Sequence, residues 1–276
     1  MRCVITLVMK SLPWSLIILL ACLLSACSKA GQVAAQPAPV VTSTLDQSEA
    51  QRIIQAATVS CEASDKSCNP SVGMLLSAAD DGVTTCTASL ISPDILMTNT
   101  HCLPGAIQRS KASCADITWI KFPAVGQLPA ITAECDYVIK ATEIEEGRNN
   151  LPDYAFLRLK NPVSRESLKL SYAGIADQKS FDLYKVNAIE NGTSIVGVLM
   201  KSSCTSEANS VAVPEYRGRL SPIASFTDCN LADGNFGAPI IDSDGRARGV
   251  IQSSKSAPLL ASFLDPYLMD GQVNGL

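Results

Sequence analysis

Three short segments hold residue types that could carry out chemistry together. The first runs from Cys86 to Cys102 (CTASLISPDILMTNTHC) and contains His101, the single histidine in 276 residues. The second is Asp153-Tyr-Ala-Phe-Leu-Arg-Leu159, an acid heading an alternating apolar run. The third is Asp228-Cys-Asn-Leu-Ala-Asp-Gly234-Asn235-Phe236-Gly237-Ala238-Pro239, a turn-rich stretch. An imidazole, a carboxylate to orient it and a glycine loop that exposes backbone N–H groups are parts of an apparatus for acyl transfer. There the imidazole takes the proton of a nucleophilic hydroxyl. Each part also has an ordinary reading. A lone histidine is usually a surface or satisfied core residue, and an acid opening a strand is commonly exposed. A single histidine removes any multi-histidine metal site, so neither metal nor cofactor is expected.

The elements that must position these segments read as strands. From about residue 70 the apolar runs are short and bounded by turn residues: VGMLLSA, CTASLIS, ILMTN, ITWIKF, AITAECDYVIKA, YAFLRL, SIVGVLM and APII. Several alternate apolar with polar at period two. Asp242-Ser243-Asp244-Gly245 between APII and ARGVIQ predicts a hairpin. Helical periodicity is weak until Leu259–Met269, where Pro266 interrupts it, so a short C-terminal helix is expected there. Many short strands without a fixed repeat make an all-β sandwich or barrel pair the expected class, and disfavour a solenoid or propeller.

Length allows one large domain or two small ones. With 47% hydrophobic and 17% charged residues, a disordered polyelectrolyte is excluded. The net charge of −4 supplies no basic surplus for phosphates, so nucleic acid is not an expected partner.

The N-terminus reads as an address. Arg2 and Lys10 precede Ser11 to Ala26, an uncharged, mostly apolar run shorter than the about 20 residues of a spanning helix. Leu24-Ser25-Ala26-Cys27 closes it. This resembles the lipobox of bacterial lipoproteins, which implies a signal peptide over residues 1–26, cleavage before Cys27 and lipid on that cysteine. The alternative is an ordinary secretory signal with an incidental cysteine. Several acyl chains on one residue exceed the single-chain threshold for stable anchoring. Ser28 offers no retention acid, which favours the outer membrane of a bacterial envelope. Residues 27–52, rich in Ala, Pro, Ser, Thr and Gln, read as a flexible tether before a domain over 53–276.

Cys3 and Cys22 leave with the signal and Cys27 takes the lipid. The rest are Cys61, Cys68, Cys86, Cys102, Cys114, Cys135, Cys204 and Cys229, an even set without zinc-knuckle spacing. An exported chain would oxidise them. Roughly a hundred pairings are open to eight cysteines, and free buried thiols are the competing reading. The economical arrangement joins sequence neighbours: 61 with 68, 86 with 102, 114 with 135 and 204 with 229.

Taken together, the three chemical segments resemble those of trypsin-like (chymotrypsin-fold) serine proteases, in the family's order of His, Asp and Ser. The resemblance covers roughly residues 70–265. It implies two antiparallel six-stranded β-barrels, one over about 55–165 and one over about 175–268. His101 would be the general base and Asp153 the acid that holds the imidazole tautomer. A Cys86–Cys102 bridge would close a short loop beside His101, stabilising by about 3 kcal/mol. Gly234 would lend its backbone N–H to an oxyanion hole. Asn235 replaces the aspartate that, in zymogen-activated members, pairs with a new N-terminal amine. A lipidated N-terminus agrees with that, and Ser71-Val72-Gly73-Met74 would begin the first barrel without being a cleavage site. Asn230 would form the base of the specificity pocket, with Asp228 and Asp233 nearby.

The departure that matters is Phe236. Aligning glycine with glycine and proline with proline sets Phe236 where the nucleophilic serine belongs, and no one-residue shift supplies a serine. Losing the nucleophile costs about a millionfold in turnover, roughly 8 kcal/mol of barrier. The resemblance therefore implies a catalytically inactive, membrane-anchored homologue that binds a protein or peptide. A second reading is a serine-type endopeptidase with residual or unconventional activity through Ser225 or Thr227. A third is a passive envelope component. No motif specifies an oligomeric state.

Overall fold

The computed structural model describes residues 47–62, 68–142, 152–171, 180–191, 194–206, 223–232, 234–253 and 259–263. The export segment, Cys27 and the tether up to residue 46 lie outside the described residues, as do Asp233 and residues 264–276. Among the described residues no helix is long and apolar enough to cross a membrane.

Six strands close a barrel: β2 (Val72–Ala79), β3 (Gly82–Ser92), β4 (Ile95–Thr98), β5 (Thr118–Phe122), β6 (Ile131–Ala141) and β7 (Ala155–Leu159), in the order β2-β3-β4-β7-β6-β5. Their period-two alternation feeds two cores at once. Leu75, Leu96, Ile120, Ala155 and Leu157 fill the barrel with Leu90, Phe122 and Val138. Their neighbours Met74, Leu76, Ile95, Met97 and Phe156 point the other way, into a core shared with the second sheet. That explains why β2 and β4 are buried almost continuously.

The second sheet holds β8 (Ser180–Asn191), β9 (Ser194–Ser206), β10 (Ile223–Thr227), β11 (Pro239–Ile241), β12 (Ala247–Ser253) and β13 (Leu259–Phe263), with β1 (Thr58–Cys61) at its edge. The order is β1-β9-β10-β13-β12-β11-β8, and β8 pairs with β9 as well as β11. Val186, Ile195, Leu199 and Val250 join the shared core, while Phe181, Leu183, Phe226, Ile240 and Ile251 form a third cluster. Asp242 makes the expected hairpin between β11 and β12. One of its oxygens accepts from the amides of Asp244 and Arg246, and the other from Arg248 Nε at 2.7 Å.

Three sequence expectations are corrected. Residues 47–52, read as tether, are the start of helix α1 (Gln47–Ala56), which buries Ala50 and Ile54. Their helical spacing, i and i+4, places both on the core side. The first barrel does not begin near residue 55, because β1 pairs in parallel with β9, Thr58 opposite Val196. On that edge β10 reaches only Thr205 and Ser206, so β1 covers ladder groups that would otherwise be open. Finally, Leu259–Phe263 is a strand paired with β10 and β12, where a C-terminal helix was expected. An alternating ladder with two partners outweighs a weak helical period already broken by Pro266. The rest of that expected helix is outside the described residues.

All four sequence-near cysteine pairs are disulfides: Cys61–Cys68, Cys86–Cys102, Cys114–Cys135 and Cys204–Cys229. Buried cations supply a second kind of fastening. Lys121 Nζ donates to the carbonyls of Gln55 and Ala57 at 2.9 and 2.7 Å, capping the C-terminal end of α1. Arg165 donates to the carbonyls of Pro70, Pro123 and Pro129 and lies over the Phe122 ring. Burial pushes the pKa of both cations down.

Candidate active site

The barrel's strand register brings His101 to Asp153. Strand β4 runs antiparallel to β7 with Thr98 opposite Ala155. His101 leaves the end of β4 in a single 3-10 turn (Thr100–Cys102), and Asp153 enters the start of β7. The two therefore meet at one end of the barrel although 52 residues separate them.

Asp153 is held on every side. Its Oδ1 accepts from the backbone amides of Thr100 at 2.7 Å and His101 at 3.2 Å, and its Oδ2 bonds His101 Nδ1. Asn99 Nδ2 donates to its carbonyl, and Thr100 Oγ1 donates to the next carbonyl, Tyr154, at 2.9 Å. A carboxylate on Nδ1 keeps the proton there and leaves a lone pair on Nε2. The imidazole is one-third exposed, so Nε2 can take a proton from a small molecule. The Cys86–Cys102 disulfide fixes the backbone beside the ring.

The 228–238 loop approaches from the second sheet. Gly237 has φ +81°, and a Cβ there would stand 2.3 Å from the Thr87 carbonyl and 2.4 Å from Thr98 Oγ1. Only glycine allows this approach. Gly234, at φ +85°, is also buried. Thr87 Oγ1 donates to its carbonyl at 2.7 Å and accepts from the Val186 amide, while the Thr87 amide donates to the Phe236 carbonyl at 2.8 Å. The Asn235 side chain is completely buried. Its Nδ2 donates to the Val186 carbonyl and Asn187 Oδ1, and its Oδ1 accepts from the Ala232 amide. At the start of the loop Lys185 Nζ donates to the carbonyls of Cys229 and Asn230, and burial pushes its pKa down. The Asn230 side chain is exposed.

Phe236 closes the arrangement. Its ring meets the His101 ring edge to face, with centroids 5.0 Å apart and planes at 74°. It packs against the core cluster that contains Cys86 and Cys102. Among the described residues no hydroxyl is hydrogen-bonded to the imidazole. Thr227, weighed as a substitute nucleophile, is exposed and donates to Asp228 Oδ2 at 3.3 Å; the side chain of Ser225 is outside the described residues.

These contacts place the fold beside known proteins. A family model for a trypsin-like peptidase domain matches residues 86–250. The chain belongs to that family. Solved structures with the trypsin-like fold agree. The scabies mite inactivated protease paralogue S-I1 is 16% identical, with TM-score 0.55, over 76% of this chain and 96% of its own. The scabies mite paralogue S-D1 is 14% identical, with TM-score 0.53, over 77% and 95%. A thermostable serine protease, AL20, from an extremophilic microorganism is 13% identical, with TM-score 0.50, over 75% and 97%. No curated protein matches the chain.

In this trypsin-like domain, Cys86, His101 and Cys102 are the one His/Cys/Asp/Glu group among the described residues with metal-like spacing. Both sulfurs are spent in a disulfide and offer no thiolate. Sequence reasoning missed Thr87, Asn99 and Thr100. A signal existed in Thr98-Asn99-Thr100, three polar residues where an apolar strand ends, all completely buried.

Proposed function

We propose that this chain is a lipid-anchored, exported trypsin-like protease homologue without its nucleophile, and that it acts by binding a protein or peptide. Phe236 stands in place of the serine, and the observation that carries the reading is its ring packed on His101. A phenyl group has no proton to give the imidazole and no lone pair to attack a carbonyl. His101 and Asp153 are the general base and acid of a triad that lacks its third member, and Gly234 is the remaining oxyanion-hole position. The names of two structural relatives describe them as inactivated paralogues, which accords with this.

The seven-stranded sheet is the second barrel of the pair, a reading supported by β8 pairing with both β11 and β9. Residues 1–26 are a signal peptide, and Cys27 carries the lipid that holds the protein on a bacterial envelope membrane, the outer one.

A fluorophosphonate probe tests the central point. The unmodified protein should not be labelled, and Phe236→Ser should gain labelling that His101→Gln then removes. Labelling of the unmodified protein would overturn the reading. Labelling the chain metabolically with palmitate, with and without Cys27→Ala, tests the anchor.

A further inference from the structure

We infer that the edge of the first barrel at Thr132 is a docking site for this chain's own N-terminal segment, which adds Val40-Val41-Thr42 to β6 as a short strand. The site follows from where β7 stops pairing. β6 and β7 are in register from Ala141 opposite Ala155 to Cys135 opposite Leu159, and the Lys160 amide donates to the Glu134 carbonyl at 2.9 Å. Two residues later stands Pro162, which has no N–H to continue the ladder. The Val163 amide goes instead to the Pro93 carbonyl at 2.7 Å. β6 itself extends to Ile131. Bonding directions alternate along a strand, so Thr132 turns its N–H and C=O the same way as Glu134, away from β5. Among the described residues neither group has a partner.

A cleft lies along this edge. One part, of about 320 Å³, is lined by β6 residues 131–134 and by residues 161–164. Residues 162–164 also line a larger part of about 700 Å³, together with Pro93 and Leu128. An extended peptide suits both: its backbone can pair with Thr132, and an apolar side chain can enter the larger part. Those are the two ingredients of strand addition. The cations around the cleft are already committed. Lys160 pairs with Glu134 at 2.6 Å, and Arg165 donates to the carbonyls of Pro70, Pro123 and Pro129. An uncharged occupant is the one that fits.

Residues 36–45 (QPAPVVTSTL) form an uncharged stretch just before α1. Within it Val40-Val41-Thr42 is β-branched, the type that extended ladders favour, and Pro39 ends pairing on the N-terminal side. The chain is long enough to reach. α1 begins at Gln47, and at its other end the Gln55 carbonyl accepts from Lys121, the residue opposite Thr132 in the β5–β6 register. Gln47 and Gln55 are about 12 Å apart along the helix, and the seven residues from Val40 to Gln47 extend to about 24 Å. Cleft and segment share one chain, so an effective concentration in the mM range lets a weak contact hold. On the reading above that Cys27 carries lipid, docking shortens the leash from residues 27–46 to residues 27–39, which cuts its extended reach from about 68 Å to about 44 Å.

Amide hydrogen exchange on the chain beginning at Cys27 tests the docking whether or not that cysteine is acylated. The comparison is with the double variant Val40→Asp/Val41→Asp, which changes only the N-terminal segment. In the parent the Thr132 amide should exchange about tenfold more slowly than in the variant, while the Ala133 amide, turned toward β5, exchanges equally in both. Thr132→Pro should in turn remove protection from the amides of residues 40–42. A Thr132 amide that exchanges as fast in the parent as in the double variant overturns the inference. Protection that rises with protein concentration also overturns it, because the occupant is then the segment of a second copy. Palmitate labelling reports separately on Cys27, so an unprotected Thr132 in a labelled chain sinks the docking and leaves the anchor standing.

Discussion

Thr87, in the middle of β3, donates its hydroxyl to the carbonyl of Gly234 at 2.7 Å across 147 residues of sequence. The same residue bonds the Val186 amide, the Phe236 carbonyl and Thr98 Oγ1, so every polar atom it owns is used to hold the site loop or its support. The wall of the first barrel thereby sets the shape of a loop that belongs to the second sheet.

Thr87→Val should be costly although it conserves shape. It removes one hydroxyl and leaves the Gly234 carbonyl and Val186 amide buried without partners, at about 2 kcal/mol. For a domain of this size that is a fall of roughly 4 to 8 °C in melting temperature. Thr87→Ser should recover most of it. Calorimetry of the three proteins makes the comparison, and a Val variant as stable as the parent would show that the loop is held elsewhere.

Two glycines with similar φ should respond differently to alanine. Gly245, at φ +75° in the β11–β12 hairpin, has open space around a built Cβ, so Gly245→Ala should cost about 1 kcal/mol of backbone strain. Gly237→Ala adds a collision with backbone and should cost about 3 kcal/mol or more. Urea unfolding distinguishes them; equal losses would mean that the loop moves aside freely.

Acid should weaken the fold partly through Asp242. Burial disfavours its charge, but the Arg246 amide, the Arg248 side chain and the Asp244 amide outweigh it and hold its pKa below the usual carboxylate value. A depressed folded pKa contributes stability that is complete above the unfolded value, about 3.9, and is lost as pH falls through the lower folded one. Asp242→Asn should lose about 3 kcal/mol near neutrality, where the buried contact with Arg248 loses its negative charge. Its stability should also decline less steeply than the parent's below about pH 4. Parallel acid limbs for the two proteins would exclude Asp242 as the source.

Removing Cys86–Cys102 by the double change to alanine should cost about 3 kcal/mol for a loop of 16 residues. The lone imidazole signal should broaden as the turn beside it loosens. A sharp, unshifted signal would show that Asp153 alone suffices to place the ring.

Much of this was legible in the chain. Strand alternation and turn residues marked the barrel strands and the hairpin at Asp242, while the cysteine count pointed to oxidation and only the economy of joining sequence neighbours suggested the pairs. The segments around His101 and Asp153 meet because neighbouring strands of one barrel carry them. What stayed hidden depends on partners distant in sequence. Residues 47–52 looked like tether because polar residues surround Ala50, and the ten-residue helix that they open takes its stability from packing. β1 owes its place to an edge left open by β10, and Leu259–Phe263 to two ladders that no local period announces. Lys121, Arg165 and Lys185 are buried against carbonyls, a solvation that appears only when loops are assembled.

The bond between Thr87 and Gly234 also bears on the order of folding. Contacts this far apart along a chain form late, because closing so long a loop sacrifices freedom before other contacts compensate. The first barrel can gather itself locally, whereas the loop that packs on His101 is seated only after both halves have docked. A chain cut or stalled midway would present an exposed imidazole and carboxylate with no loop above them.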